Sequence, residues 1–203
     1  MARINPLKLK QDAAKETNAG RYEKAIDLLK QIVQENPRDA NTLNQIGFLY
    51  EKLNNVKAAN EQYAKVAEFY ANDGFYLKAI ACWKKVLKND PADFKAHLKL
   101  GDLYAKQGLS AEAKTMLGEA FDECVKRGRH REAGEVLRRM AELDPSDMKV
   151  RIRLAELYAR EGQQEKAAGE YLALADELVK KGHRQEALQL LEKGLKVGKR
   201  SPV

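Results

Sequence analysis

The chain has 203 residues, 44% hydrophobic and 33% charged, with a net charge of +7. This is enough apolar material for a core, and the dominance of alanine, leucine, lysine and glutamate favours helix. Two cysteines in no ligand-like spacing, Cys82 and Cys124, argue against a disulfide framework and fit a reducing cytoplasm.

The opening "MARINPLKLKQDAAK" has no apolar run of signal-peptide length. No stretch approaches the roughly 18 apolar residues of a membrane span, so a cytoplasmic location is expected. The charge is uneven: residues 1–39 carry +2, 40–93 carry +1, 94–147 balance at zero and 148–203 carry +4. A basic C-terminal end suits an acidic protein, nucleic acid or an anionic membrane, or is simply a solvated helical surface.

In chain order, the apolar spacing predicts helices over 6–18, 22–35, 40–53, 57–73, 76–89, 94–107, 111–127, 130–143, 148–161, 165–181 and 184–196. Steps of three and four residues carry the assignment, as in Leu43, Ile46, Tyr50 and Leu53. Asn5 followed by Pro6 opens the first helix. The connections are a few residues long, so consecutive helices are expected to be antiparallel neighbours. The expected class is all-α, a single solenoid domain over 1–203.

A shift of 54 residues superimposes most of the chain on itself. Pro37, Pro91 and Pro145 coincide, as do Asp39, Asp93 and Asp147, and Tyr50, Tyr104 and Tyr158. Gly20, Gly74, Gly128 and Gly182 keep the same spacing, and so do Ala25, Ala79, Ala133 and Ala187. Residues 40–93, 94–147 and 148–201 are therefore three units, preceded by a partial one at 6–39. Proline disfavours helix at the residue before it, and the aspartate two places on can cap the next helix. The recurrent glycines stand where a left-handed C-terminal cap is cheapest. The recurrent alanines lie inside helices, where a methyl lets a neighbour approach closely.

Within each unit, Leu43-x-x-Ile46-Gly47-x-x-Tyr50 leads to Ala59 and Tyr63. His97-x-x-Leu100-Gly101-x-x-Tyr104 leads to Ala113 and Leu117, and Arg151-x-x-Leu154-Ala155-x-x-Tyr158 to Ala167 and Tyr171. Ala25, Leu29 and Pro37, then Ala79, Trp83 and Pro91, then Ala133, Leu137 and Pro145 supply a second half. This resembles the tetratricopeptide repeat, whose period is 34 residues. The resemblance covers residues 6–196 and implies a superhelical array of about eleven antiparallel helices.

The period here is 34 plus 20, so each unit holds three helices. The middle helix serves twice: Tyr63 and Val66 end one motif, and Tyr63-x-x-Val66-Ala67-x-x-Tyr70 begins the next. Such a helix needs a wide apolar surface, because it packs on both neighbours.

No residue pattern calls for a metal, a cofactor or a catalytic group. His97 occupies a packing position, and His130 and His183 fall in short connections. Cys124 stands where the motif expects tyrosine, and a Cys124–His130 pair lacks a third group. Paired zinc-ligand spacings and phosphate-cradling glycine loops are missing. The tyrosines and Trp83 recur at core spacing, which disfavours a stacking platform for nucleic acid.

The resemblance implies a protein or peptide partner and a scaffold or adaptor role, and no enzyme. Candidate contact residues lie outside the core stripe of each unit's first helix: Asn41, Asn44, Gln45 and Phe48, then Lys95, Lys99 and Asp102, then Lys149, Arg153 and Glu156. Lys95 with Lys99, and Lys149 with Arg153, are four apart and share a helix face suited to an acidic partner.

Some family members hold a terminal carboxylate with lysines, arginines and asparagines on successive first helices. Lys10, Lys149 and Arg153 match that set singly, while Ala14 and Gln45 stand where asparagines are expected. The alternative function is binding nucleic acid or an anionic surface through the basic C-terminal unit. The last helix, "RQEALQLLEKGLK", also presents leucines suited to self-association or to docking of a partner helix.

Overall fold

The protein is described by a computed structural model covering residues 5–198. Among these residues there are eleven α-helices and no strand. They are α1 (Pro6–Asn18), α2 (Tyr22–Glu35), α3 (Ala40–Lys52), α4 (Val56–Asn72), α5 (Tyr76–Asn89) and α6 (Phe94–Lys106). α7 (Ser110–Lys126), α8 (His130–Leu143), α9 (Met148–Arg160), α10 (Gln164–Lys180) and α11 (Arg184–Gly198) follow. The observed ends lie within two residues of those expected from the sequence. The contacts group into two compact units, Met1–Met116 and Leu117–Val203, with the division inside α7.

Helix ends follow from local chemistry. Asp39 Oδ1 accepts from the Thr42 amide at 3.0 Å, Asp93 Oδ1 from the Ala96 amide at 2.7 Å, and Asp147 Oδ1 from the Val150 amide at 3.1 Å. Each aspartate satisfies an orphan donor of the helix it opens. At the other ends, Gly74 adopts φ +79° and the Phe75 amide reaches back to the Tyr70 carbonyl at 2.8 Å. A second series of such turns was not expected from the sequence. Gly108 and Gly162 take φ values of +72° and +78°, and Asn54, the non-glycine member of the series, takes +54°. Asparagine is the residue that best tolerates this region after glycine.

Asp39 is more than a cap. The Thr42 hydroxyl donates to Oδ2 at 2.8 Å, and Lys10 Nζ donates to the same oxygen at 3.1 Å. Burial pushes this carboxyl up, but the hydrogen bonds from Thr42 and Lys10 outweigh it and hold it below the ordinary carboxylate range. Because its folded-state pKa is depressed, the stabilisation is complete above the unfolded value of about 4 and is lost as pH falls through the folded value. Asp39→Ala should therefore cost about 1–2 kcal/mol at neutral pH in urea unfolding. The gap between variant and wild type should narrow steadily below about pH 4.

The doubly used middle helix is observed at α4 and at α10. α4 packs on α3 and on α5, and it buries Ala59, Tyr63, Val66 and Ala67. α10 packs on α9 and α11 and buries Ala167, Tyr171, Leu174, Ala175 and Leu178. The small residue of the motif has a steric cause. A Cβ built on Gly47 would lie 2.7 Å from the Tyr63 ring, so a side chain there would force that ring to shift.

Each motif tyrosine lies under a cation at the same repeat position. Lys30 lies over Tyr50 at 5.8 Å, Lys84 over Tyr104 at 5.7 Å and Arg138 over Tyr158 at 5.9 Å. The three cations are themselves 54 residues apart, so the repeat extends to these cation–π contacts.

Candidate functional site

Short connections and a strict repeat force the same helix triplets to recur, and with them the same depressions between helices. In Met1–Met116, α1, α2 and α3 enclose a cleft of about 240 Å³ lined by Lys10, Ala14, Thr17, Gln45 and Phe48. In Leu117–Val203, the end of α7 with α8 and α9 encloses one of about 580 Å³, lined by Val125, Gly134, Leu137, Arg153 and Leu157. Thr17 and Val125, Leu29 and Leu137, Gln45 and Arg153, and Leu49 and Leu157 are pairs 108 residues apart, or two units. The two clefts are thus the same place in the repeat with different linings.

A second depression recurs in the same way. α2, α3 and α4 enclose about 520 Å³, lined by Lys30, Val33, Pro37, Gln62 and Phe69. α8, α9 and α10 enclose about 470 Å³, lined by Arg138, Ala141, Pro145, Glu170 and Glu177. Here Leu43 has become Arg151, Gln62 has become Glu170, and Phe69 has become Glu177. Arg151 Nη1 donates to Glu177 at 2.5 Å and its Nε donates to Glu170 at 3.1 Å. Burial alone would lower the guanidinium pKa, but the two carboxylates outweigh it and raise it.

Of the candidates named from sequence, Gln45 and Phe48 share the first cleft with Lys10, and Arg153 lies in its larger counterpart. Phe48 is 46% exposed and Lys52 sits 5.2 Å from its ring centre. Asn41 is exposed, and the Asn44 side-chain amide donates to the Ala40 carbonyl at 3.0 Å while its Oδ1 accepts from Lys85 at 3.4 Å.

Lys95 is engaged by Glu68 at 2.9 Å and stands over the Trp83 ring at 5.7 Å, while Lys99 is half-buried on the same helix. Lys149 is exposed. Arg153 lies over the Phe121 ring at 5.4 Å. The cation of the carboxylate-holding set nearest the first cleft, Lys10, is already bonded to Asp39.

Sequence reasoning missed Gly134, Leu137 and Phe121. The indication lay in the departures from period 54: Gly134 stands where other units carry Ile26, Ile80 and Leu188, and Phe121 where they carry Ala67 and Ala175.

Of the side chains weighed for chemistry, His97, Cys82 and Cys124 are packed, while His130 and His183 are exposed. His97 is 6% exposed and its Nε2–H donates to the Pro91 carbonyl at 2.8 Å. Cys82 and Cys124 are buried, and burial pushes both thiols up, away from the thiolate a nucleophile needs. Among the described residues no cluster of His, Cys, Asp and Glu has the makings of a metal site, and no helix is long and apolar enough to cross a membrane.

Two models described as tetratricopeptide repeats match residues 17–81 and 119–176, and a third, described as a TPR repeat, matches residues 70–108. No curated protein matches this chain. Among solved structures it is similar to TTC0263, a thermophilic TPR protein of Thermus thermophilus, at 21% identity over 75% of this chain and 98% of that one, with a TM-score of 0.28. A tetratricopeptide repeat protein from Parabacteroides merdae is 16% identical, over 95% and 93% of the two chains, with a TM-score of 0.29. BtubC (BKLC) from P. vanneervenii is 10% identical, over 96% and 91%, with a TM-score of 0.47.

Proposed function

The chain belongs to the tetratricopeptide-repeat family, and from that premise we propose that it is a non-enzymatic scaffold or adaptor that binds a peptide or protein partner on its helical surface. Members of this family generally serve as scaffolds. The observation that carries the reading is the recurrence of clefts at repeat-equivalent places, built on preformed helices and lined differently in each copy. A frame held constant while its lining varies is how stacked repeats acquire recognition without remodelling the fold. Gln45 and Phe48 offer an amide and a ring in the first cleft, and Arg153 offers a cation in the second. Asn41 and Asn44 share α3 with Gln45 and Phe48, Lys149 shares α9 with Arg153, and Lys95 and Lys99 hold the corresponding repeat positions on α6.

Binding of the purified chain to an array of soluble peptides, with duplex DNA as the comparator, tests this. Peptide binding should survive added salt with a shallow decline, and Lys149→Glu with Arg153→Glu should weaken acidic peptides about tenfold. Tight DNA binding that falls log-linearly and steeply with salt, with no peptide bound, would establish the nucleic-acid alternative instead.

A further inference from the structure

The cleft between the end of α7, α8 and α9 is where the repeat is broken, and the break makes room. Isoleucine at positions 26 and 80 is 3% and 6% exposed and fills this place in the earlier units. Position 134 is glycine, and Leu137 replaces the larger Trp83 of the unit before. The leucine that packs beneath is 2% exposed at Leu49 and 4% at Leu103. Its counterpart Leu157 is only partly buried, and its Cδ2 reaches to 2.6 Å from where a Gly134 Cβ would stand. The result is an apolar floor in which Phe121, Val125 and Leu157 reach solvent above the buried Leu137, with Val125 51% exposed.

The rim is basic in effect. Its two carboxylates are occupied: Glu161 pairs with Arg138 at 3.2 Å and accepts from Gln163 at 2.9 Å, and Glu156 pairs with Lys193 at 3.4 Å. Arg131, Arg153 and Arg160 line the same cleft, and none makes an ion pair with a described residue. Arg153 is held across the Phe121 ring, its charge over the mouth of the apolar floor. Three guanidinium groups around an apolar hollow suit bidentate hydrogen bonds to carboxylates on either side of one buried side chain.

The geometry points to an acidic linear peptide, anchored by a single leucine or phenylalanine in the cleft and by flanking aspartate or glutamate on the arginines. A volume of about 580 Å³ accepts that side chain together with its adjoining backbone. A nucleic acid would leave the aliphatic floor unused, since bases stack on aromatic faces and this floor is largely leucine and valine. The inference rests on the scaffold reading and makes one site within it specific.

The test is fluorescence anisotropy of labelled acidic decapeptides with a central leucine or phenylalanine, titrated with the full chain. Two control peptides carry alanine at the centre, or asparagine and glutamine for the acids. Each control should bind at least about tenfold more weakly than its parent. Gly134→Ile, which restores the residue of the earlier units and pushes the end of the Leu157 side chain aside, should lose the acidic peptides by a similar factor, with unchanged circular dichroism showing that the helices persist.

Arg131→Ser with Arg160→Ser, both on the exposed rim, supplies a variant that leaves the floor intact. It should lose the preference for acids over amides but keep the preference for leucine over alanine. Parent and control peptides binding equally, or Gly134→Ile folding and binding like wild type, would overturn the inference. If wild type sediments as a dimer and Gly134→Ile as a monomer, the cleft holds a second copy and the inference also fails. Array peptides that bind wild type and Gly134→Ile alike leave the scaffold reading standing without this cleft. An array that binds nothing removes both.

Discussion

Trp83→Ala should lower the free energy of unfolding by about 3–5 kcal/mol, the largest loss expected here from any single substitution. Trp83 is 1% exposed on α5, which packs on α4 on one side and α6 on the other. Truncation removes the transfer free energy of the indole and leaves a void between α6 and α4, which is itself held by α3. Such a site collapses poorly, which places it at the costly end of the range.

The repeat supplies its own control, because the same position is Leu29 and Leu137 in other units, both buried. Trp83→Leu should therefore cost less than half as much, the smaller residue being compatible with this packing elsewhere in the chain. Urea titration followed by far-UV circular dichroism is the measurement, since the chain has one tryptophan and the variants abolish its fluorescence. A loss below about 1 kcal/mol for the alanine variant would mean that α4 and α6 close over the gap, contrary to a tightly interlocked stack.

The fold was legible because a repeat states each structural demand several times. One proline or aspartate is weak evidence, but Pro37-x-Asp39, Pro91-x-Asp93 and Pro145-x-Asp147 announce a helix stop and start three times over, and all three aspartates cap as expected. The doubled role of the middle helix was legible for the same reason. The left-handed turns at Asn54, Gly108 and Gly162 were not read, because asparagine breaks the glycine identity while meeting the same backbone requirement. The cations over Tyr50, Tyr104 and Tyr158 escaped because charged residues on a helix face are read as solvated until a partner is seen.

The candidate site was less legible than the fold. Arg153, Gln45 and Phe48 were reachable from their positions on first helices. The clefts were not, since a cleft arises from what a helix triplet fails to fill. Gly134 is informative only beside Ile26 and Ile80, and the basic rim only once Glu156 and Glu161 are seen to be occupied. Departures from a repeat carry site information that the repeat itself cannot, because the shared residues serve stacking, which every unit needs.

Arg151→Met should be the second most damaging change, at about 2–4 kcal/mol. The guanidinium side chain is 14% exposed and holds Glu170 and Glu177 on one cleft wall. Removing it leaves two carboxylates two turns apart on one face of α10 with no cation between them. That repulsion and desolvation, more than the lost hydrogen bonds, sets the cost. The side chains of Glu170 and Glu177 remain 31% and 38% exposed, so water relieves part of it and the loss falls short of a fully enclosed pair.

The same cleft in the first unit is built from Leu43, Gln62 and Phe69, so an alternative solution already exists in the chain. Arg151→Leu with Glu170→Gln and Glu177→Phe should return stability to within about 1 kcal/mol of wild type, because exchanging the whole ion cluster for uncharged groups avoids the uncompensated charge. Urea unfolding of the single and triple variants measures the difference. If the triple variant is no more stable than Arg151→Met, the two clefts are not equivalent in packing. The 54-residue register would then hold for the backbone without holding for the side chains between helices.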